Sequence, residues 1–132
     1  WLYSRGRNNF VGKILEAARS GKPLRVVDDE IGSPTWTGDL ARFLSALIRT
    51  NRYGVYHASN SGHCSRYELA AAALEEAGLA GVKLHPVPGS AFASAAVRPK
   101  YAVLDGWMMR LNGFAGMPSW RDALARCLEE NG

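Results

Sequence analysis

Cysteine is scarce in this sequence. Of 132 residues only Cys64 and Cys127 are cysteines, far apart and without metal-ligand spacing, so neither a disulfide framework nor a zinc site is indicated. Two reduced thiols lead us to expect a cytoplasmic protein. Long apolar runs are missing as well: no stretch approaches the roughly 18 to 20 residues of a membrane span, and no membrane partner is expected. A start at Trp1-Leu2-Tyr3, without Met or a signal-like segment, reads as a boundary inside a longer protein. There is no cluster of one charge sign. Lys and Arg number 16 against 12 Asp and Glu, a net charge of +4, but the basic residues are spread along the chain. A nucleic-acid surface would be marked by a basic run or patch, so none is expected. A few convergent arginines suit a small phosphorylated ligand better, because the guanidinium fork matches phosphate geometry.

Catalytic signatures are lacking too. No G-x-G-x-x-G joins a strand to a helix, the turn where helix-start amides would receive a dinucleotide pyrophosphate. None of Tyr53, Tyr56, Tyr67 and Tyr101 is followed four residues on by lysine, which excludes the phenol and amine pair of short-chain reductases. No serine sits in G-x-S-x-G, the signature of a hydrolase nucleophile turn. Asp28, Asp29 and Glu30 could suggest a metal cluster. Successive strand residues point to opposite faces, however, so these carboxylates are read as positioning a loop. No catalytic residue and no metal ligand is therefore expected in this chain.

What is present is the ordinary apolar balance of one globular domain over residues 1–132, with 47% hydrophobic and 21% charged residues. Phe10, Val11, Ile14, Leu15 and Ala18 give one face of a helix from about residue 9 to 20, capped by Asn8 or Asn9 and stopped at Gly21. Leu24 to Asp28 reads as a strand followed by the shaped loop Gly32-Ser33-Pro34. Thr37 or Asp39 is expected to cap a second helix through Leu40, Phe43, Leu44, Leu47 and Ile48.

Gly54 to Asn60 alternates like a strand, with His57 a structural histidine inside it and His63 beyond it at a pocket edge. Ser65 with Glu68 forms a capping box opening a third helix to Gly78. Val82 to Val87 reads as an edge strand because of Pro86 and Pro88, and His85 as a surface residue. Residues 89 to 100 are irregular, Tyr101 to Leu104 briefly extended, and Asp105 caps a short helix to Leu111. Ser119 with Asp122 starts a last helix. Interleaved helices and few, short strands give a small layered α/β lobe with strands partly parallel and edges left for a neighbour to cover.

Several segments together resemble one family. They are Trp1-Leu2-Tyr3, Asn8-Asn9-Phe10-Val11, Val26-Val27-Asp28-Asp29, Ile31-Gly32-Ser33-Pro34-Thr35, and Arg98-Pro99 through Leu104-Asp105. Tyr56-His57, Asn60-Ser61-Gly62, Cys64-Ser65, Tyr67-Glu68 and Trp120-Arg121 continue the likeness in order. The chain is similar to the C-terminal portion of the dTDP-4-dehydrorhamnose reductases, extended short-chain reductases in which an N-terminal Rossmann half binds the nicotinamide cofactor.

The resemblance implies the substrate-binding part of an enzyme that reduces dTDP-4-dehydro-L-rhamnose to dTDP-L-rhamnose, with NADPH or NADH held by a half this chain lacks. The isolated chain would then be catalytically silent. Its implied partners are a dTDP-sugar and the missing Rossmann domain, with homodimerisation left open. The same fold would also suit a non-catalytic regulatory subunit, or a reductase or epimerase of another nucleotide sugar. Trp1 would stand beside the sugar, or simply be a buried core aromatic. Asn8, Asn9 and Phe10 would open a helix beside the nucleotide, with Asn8 alternatively only a cap. Val26 and Val27 would flank the base, with Asp28 shaping that wall. Arg98 would meet the diphosphate with a bidentate contact. Two departures from the family stand out: Glu30 replaces a glutamine and adds negative charge near the nucleotide wall, and Gly38 stands where a metal-binding carboxylate would help some members dimerise.

Overall fold

The computed structural model describes residues 1–6, 8–92 and 98–129. In chain order the elements are β1 (Leu2–Tyr3), α1 (Phe10–Arg19), β2 (Leu24–Val27), β3 (Ile31–Gly32), β4 (Thr35–Trp36), α2 (Thr37–Leu47) and β5 (Cys64–Ser65). They continue with α3 (Arg66–Glu76), β6 (Leu84–Val87), a 3-10 turn (Gly89–Ala91), β7 (Tyr101–Ala102), α4 (Trp107–Leu111) and α5 (Trp120–Glu129). The result is a small mixed α/β domain with short strands. Part of the irregular segment expected over 89 to 100, residues 93–97, lies outside the described residues.

The centre of the domain is α3. Ser65 and Glu68 close the expected capping box: the Glu68 N–H donates to Ser65 Oγ at 3.0 Å, and the Ser65 N–H donates to Glu68 Oε2 at 2.7 Å. Beyond this cap Leu69, Ala70, Ala72, Ala73 and Leu74 are all buried. A helix apolar on several faces must be covered on several faces. Its alanines let α1 and α5 approach closely, and β2 and β5 pack against it too. From α1 come Val11, Ile14, Leu15 and Ala18, and from α5 Ala123, Leu124 and Cys127. A second, smaller cluster of Phe43, Met109 and Met117 holds α2 against α4, with Tyr56 and Phe114 packed on it.

The strands form three small sheets. β1 pairs in parallel with β4, and β2 in parallel with β6. In the third sheet β3 is central, antiparallel to β5 and parallel to β7. Mixed direction follows from the connections, since the parallel pairs are joined through helices.

Of the two caps expected for α1 it is Asn9 that serves, its Oδ1 accepting from the Gly12 N–H at 3.1 Å. Three other local expectations change. Neither Thr37 nor Asp39 caps α2; Trp36 holds the cap position without a side-chain bond, and Asp39 lies buried in the first turn. Asp105 leaves the cap of α4 to Gly106 and pairs with Arg110 at 2.7 Å. Gly54 to Asn60 forms no strand. Its alternation is real, with Val55 and His57 exposed and Tyr56 and Ala58 half-buried, but no strand among the described residues pairs with it in a ladder. His57 is thus an exposed residue. Just beyond it, Ser61 and Ser119 form an isolated parallel bridge.

Candidate functional site

The register of the central sheet creates a charged corner. Antiparallel pairing of β3 with β5 sets Ile31 opposite Ser65. Continued by one residue, that register sets Glu30 opposite Arg66, and Arg66 Nε donates to Glu30 Oε2 at 3.0 Å. On the other side of β3, the Ile31 N–H donates to the Lys100 carbonyl at 2.8 Å. Lys100 Nζ lies 3.5 Å from Asp29 Oδ2, while Asp29 Oδ1 accepts from the Gly89 N–H at 2.7 Å. That N–H, opposed by desolvation and helped by Lys100, holds the Asp29 carboxyl below its ordinary range.

Aromatic walls stand beside these charges. The Trp1 carbonyl accepts from the Thr35 N–H at 2.9 Å, next to the β1–β4 pairing. The indole lies against Gly32 so closely that a Cβ there would come 2.5 Å from the ring, which is why glycine is required. The Arg66 guanidinium carbon sits 4.3 Å from the Trp1 ring centroid and 5.4 Å from that of Phe10, the first residue of α1. Around Gly89, Val27 Cγ1, Asp29 Oδ1 and Glu30 Oε1 converge to within 4 Å of where a side chain would begin.

The residues singled out from the sequence are only partly gathered here. Trp1 and Phe10 meet through Arg66, and both pack on the main core while staying partly exposed. Trp1 is therefore neither wholly a core aromatic nor free of the core. Val26 and Val27 part company, as strand alternation requires: Val26 is 4% exposed inside the core, and only Val27 reaches the Gly89 side. Asp28 Oδ1 accepts from Ser65 Oγ at 2.6 Å, tying β2 to the start of α3.

Asn9 spends its amide on the protein itself, donating to Ser4 and Gly6 carbonyls at 2.9 and 3.0 Å while capping α1. Asn8 is exposed. Arg98 is exposed, two residues before Lys100, and bonds to no acceptor among the described residues. The three carboxylates Asp28, Asp29 and Glu30 turn to three different partners, Ser65, Gly89 and Arg66, as loop positioning requires.

Arg66 is the residue sequence reasoning passed over, although it lies inside the capping box. A signal existed: a cation in the first turn opposes the helix dipole, so an arginine there calls for an anionic partner.

Two concavities lie elsewhere. One of about 560 Å³ lies between Ser4 to Gly6, α1 and Glu76. Another of about 250 Å³ is bordered by the Ser59 to His63 loop, Val103 to Gly106 and Met117, so His63 does line an edge. Cys64 is buried, and burial first, then the Glu68 charge, pushes its thiol up to about 12, the state of an inert core thiol. No helix of the described residues is long and apolar enough to cross a membrane.

Comparison with known proteins covers the whole chain. The family described as "RmlD substrate binding domain" matches residues 1–132. A spore coat polysaccharide biosynthesis protein, SpsK of Bacillus subtilis, is 42% identical over 130 residues, covering 98% of this chain and 45% of that protein. A dTDP-4-dehydrorhamnose reductase of Streptomyces griseus is 38% identical over 129 residues, covering 94% of this chain and 42% of that protein. The crystal structure of dTDP-4-dehydrorhamnose reductase from Bacillus anthracis in complex with NADP superposes with a TM-score of 0.94 at 42% identity, covering 98% of this chain and 46% of that one. The chain thus spans less than half the length of the relatives it matches.

Proposed function

Because this chain belongs to the RmlD substrate binding domain family, we propose that it is the sugar-nucleotide-holding lobe of an NADPH-dependent reductase converting dTDP-4-dehydro-L-rhamnose to dTDP-L-rhamnose. The observation that carries this reading is the corner where Trp1 and Phe10 converge on Arg66 with Val27 close by, in a chain matched by the family along its whole length. An apolar ring with adjacent fixed donors suits a pyranose on a nucleotide. In this reading Trp1 walls the sugar, Val27 borders the base, and Phe10 and Asn8 stand where the helix start favours anionic groups. Arg98, exposed and with no acceptor among the described residues, takes the diphosphate. Asn9, Val26 and Asp28 hold these walls in place from behind.

The nicotinamide cofactor finds no seat among these residues. A relative is known with NADP bound, but this sequence has no glycine-rich strand-to-helix turn and no Tyr-x-x-x-Lys pair. The cofactor half and the proton donor come from outside this chain, and the open corner is one wall of a cleft that the other half closes. We place the reaction in the cytoplasm, where the cofactor pool is.

Calorimetric titration of the chain with dTDP and with UDP tests the reading. dTDP is expected to bind more tightly than UDP, and Arg98→Ala to weaken dTDP about tenfold. Equal binding of both nucleotides by both proteins would remove the site. Mixed with NADPH and the keto-sugar, the chain alone should show no turnover, and measurable turnover would refute its silence.

A further inference from the structure

Stability explains Arg66 only in part, through its place over the Trp1 and Phe10 rings. It sits in the first turn of α3, where the helix dipole disfavours a cation, and the capping box already satisfies the helix start. Its bond to Glu30 joins side chains that are 21% and 12% exposed, and a partly buried ion pair adds little net stability once desolvation is counted.

Its bonding is also incomplete in an informative way. Nε is spent on Glu30 Oε2, while the two terminal nitrogens meet no acceptor among the described residues. Glu30 Oε1 likewise receives no donor among them. The pair therefore leaves strong N–H donors beside a carboxylate acceptor, against the indole of Trp1.

A sugar hydroxyl is donor and acceptor at once, so neighbouring hydroxyls match such a pair, and the ring offers the apolar wall a pyranose needs. A diphosphate does not match it, because Glu30 cancels the guanidinium charge and would repel the anion. Resting on the nucleotide-sugar reading above, we propose that Arg66 and Glu30 form the pair that reads the pyranose hydroxyls and so determines sugar specificity. The negative charge introduced at Glu30 is then not a defect of the nucleotide wall, since Arg66 neutralises it and the two act as one recognition unit.

The test compares the affinity of the chain for dTDP and for dTDP-L-rhamnose, by calorimetry, in the original protein, Arg66→Lys and Arg66→Met. Lysine keeps a cation for Glu30, and with it the fold, but removes the guanidinium edge. The original chain should bind dTDP-L-rhamnose about tenfold more tightly than dTDP. In Arg66→Lys that ratio should fall to near one with dTDP affinity unchanged, and in Arg66→Met, which also unmasks the Glu30 charge, the ratio should fall likewise while dTDP itself binds more weakly. A ratio that survives in Arg66→Lys overturns the proposal, as does an equal weakening of both ligands, which would mark Arg66 as a phosphate contact or a structural residue. A ratio of one in the original chain sinks this proposal alone. Failure to bind dTDP at all sinks the nucleotide-sugar reading and this proposal with it.

Discussion

Arg126 of α5 closes a fork on Asp39 of α2, with Nη1 to Oδ1 at 2.9 Å and Nη2 to Oδ2 at 2.7 Å. Asn60 donates to the same carboxylate at 2.7 Å and Arg42 at 2.7 Å, so Asp39 is surrounded by donors although only 4% exposed. Both arginines also lie about the Trp36 ring, at 5.1 Å for Arg42 and 5.0 Å for Arg126. Since Trp36 is on β4, beside the Thr35 that bonds Trp1, this fork fixes the platform under the candidate site.

Removing Arg126 takes two of the four hydrogen bonds from a buried charge and leaves Asp39 to Asn60 and the more exposed Arg42. Arg126→Met is expected to lower unfolding stability by about 3 kcal/mol, read as a shifted urea midpoint. An effect under about 0.5 kcal/mol, the usual range of a surface substitution, would show that the fork is not formed.

The same carboxylate sets the acid limb of stability. Burial alone would raise its pKa, but the hydrogen bonds from Arg126 and Asn60 and the charges of Arg126 and Arg42 outweigh burial and leave it below its ordinary 3.8. A depressed folded pKa contributes stability that is present above the ordinary value and is lost as pH falls through the folded one. Asp39→Asn should therefore be less stable near neutral pH and show a flatter decline below about pH 4. An unchanged slope would contradict the shift.

At the alkaline end the signs reverse. Burial raises the thiols of Cys64, to about 12, and Cys127, and it raises the Tyr3 phenol, all disfavouring the charged form in the fold. Their contribution is intact below the ordinary thiol value of 9.0 and declines as pH climbs toward 12. Thiol-specific labelling should accordingly be negligible in the folded chain at pH near 8 and complete after denaturation. Rapid labelling of the folded chain would place a thiol at the surface.

Gly32 offers a local test of the aromatic wall. Gly32→Ala puts a methyl 2.5 Å from the Trp1 ring, so the indole must move. We expect a loss of about 1 to 3 kcal/mol in stability and weaker dTDP-sugar binding together. Wild-type binding in this variant would mean that Trp1 does not face the ligand.

Much of the scaffold was legible because its signals are local. The periodic apolar face of α1, the Ser65 and Glu68 box and the prolines around β6 each act through neighbours in sequence. The strand expected over Gly54 to Asn60 failed because a ladder needs a partner, and alternation cannot say whether one is near. Asp39 could not be read as an ion-pair centre because Arg126 is 87 residues away. At the candidate corner, Trp1, Phe10 and Val27 fall in the segments that carry the family likeness, whereas the place of Arg66 depends on the register between β3 and β5. Val26 was wrongly grouped with Val27 in one wall, although the alternation that separates them was available.

Nuclear magnetic resonance mapping of dTDP-L-rhamnose on the labelled chain tests most directly whether the Trp1 corner holds a dTDP-sugar. The largest shifts are expected on the Trp1 indole, the Phe10 ring, the Val27 methyls and the Arg66 and Arg98 guanidinium groups. Shifts confined to the Ser59 to His63 loop and Val103 to Gly106, with the Trp1 corner unmoved, would contradict that placement.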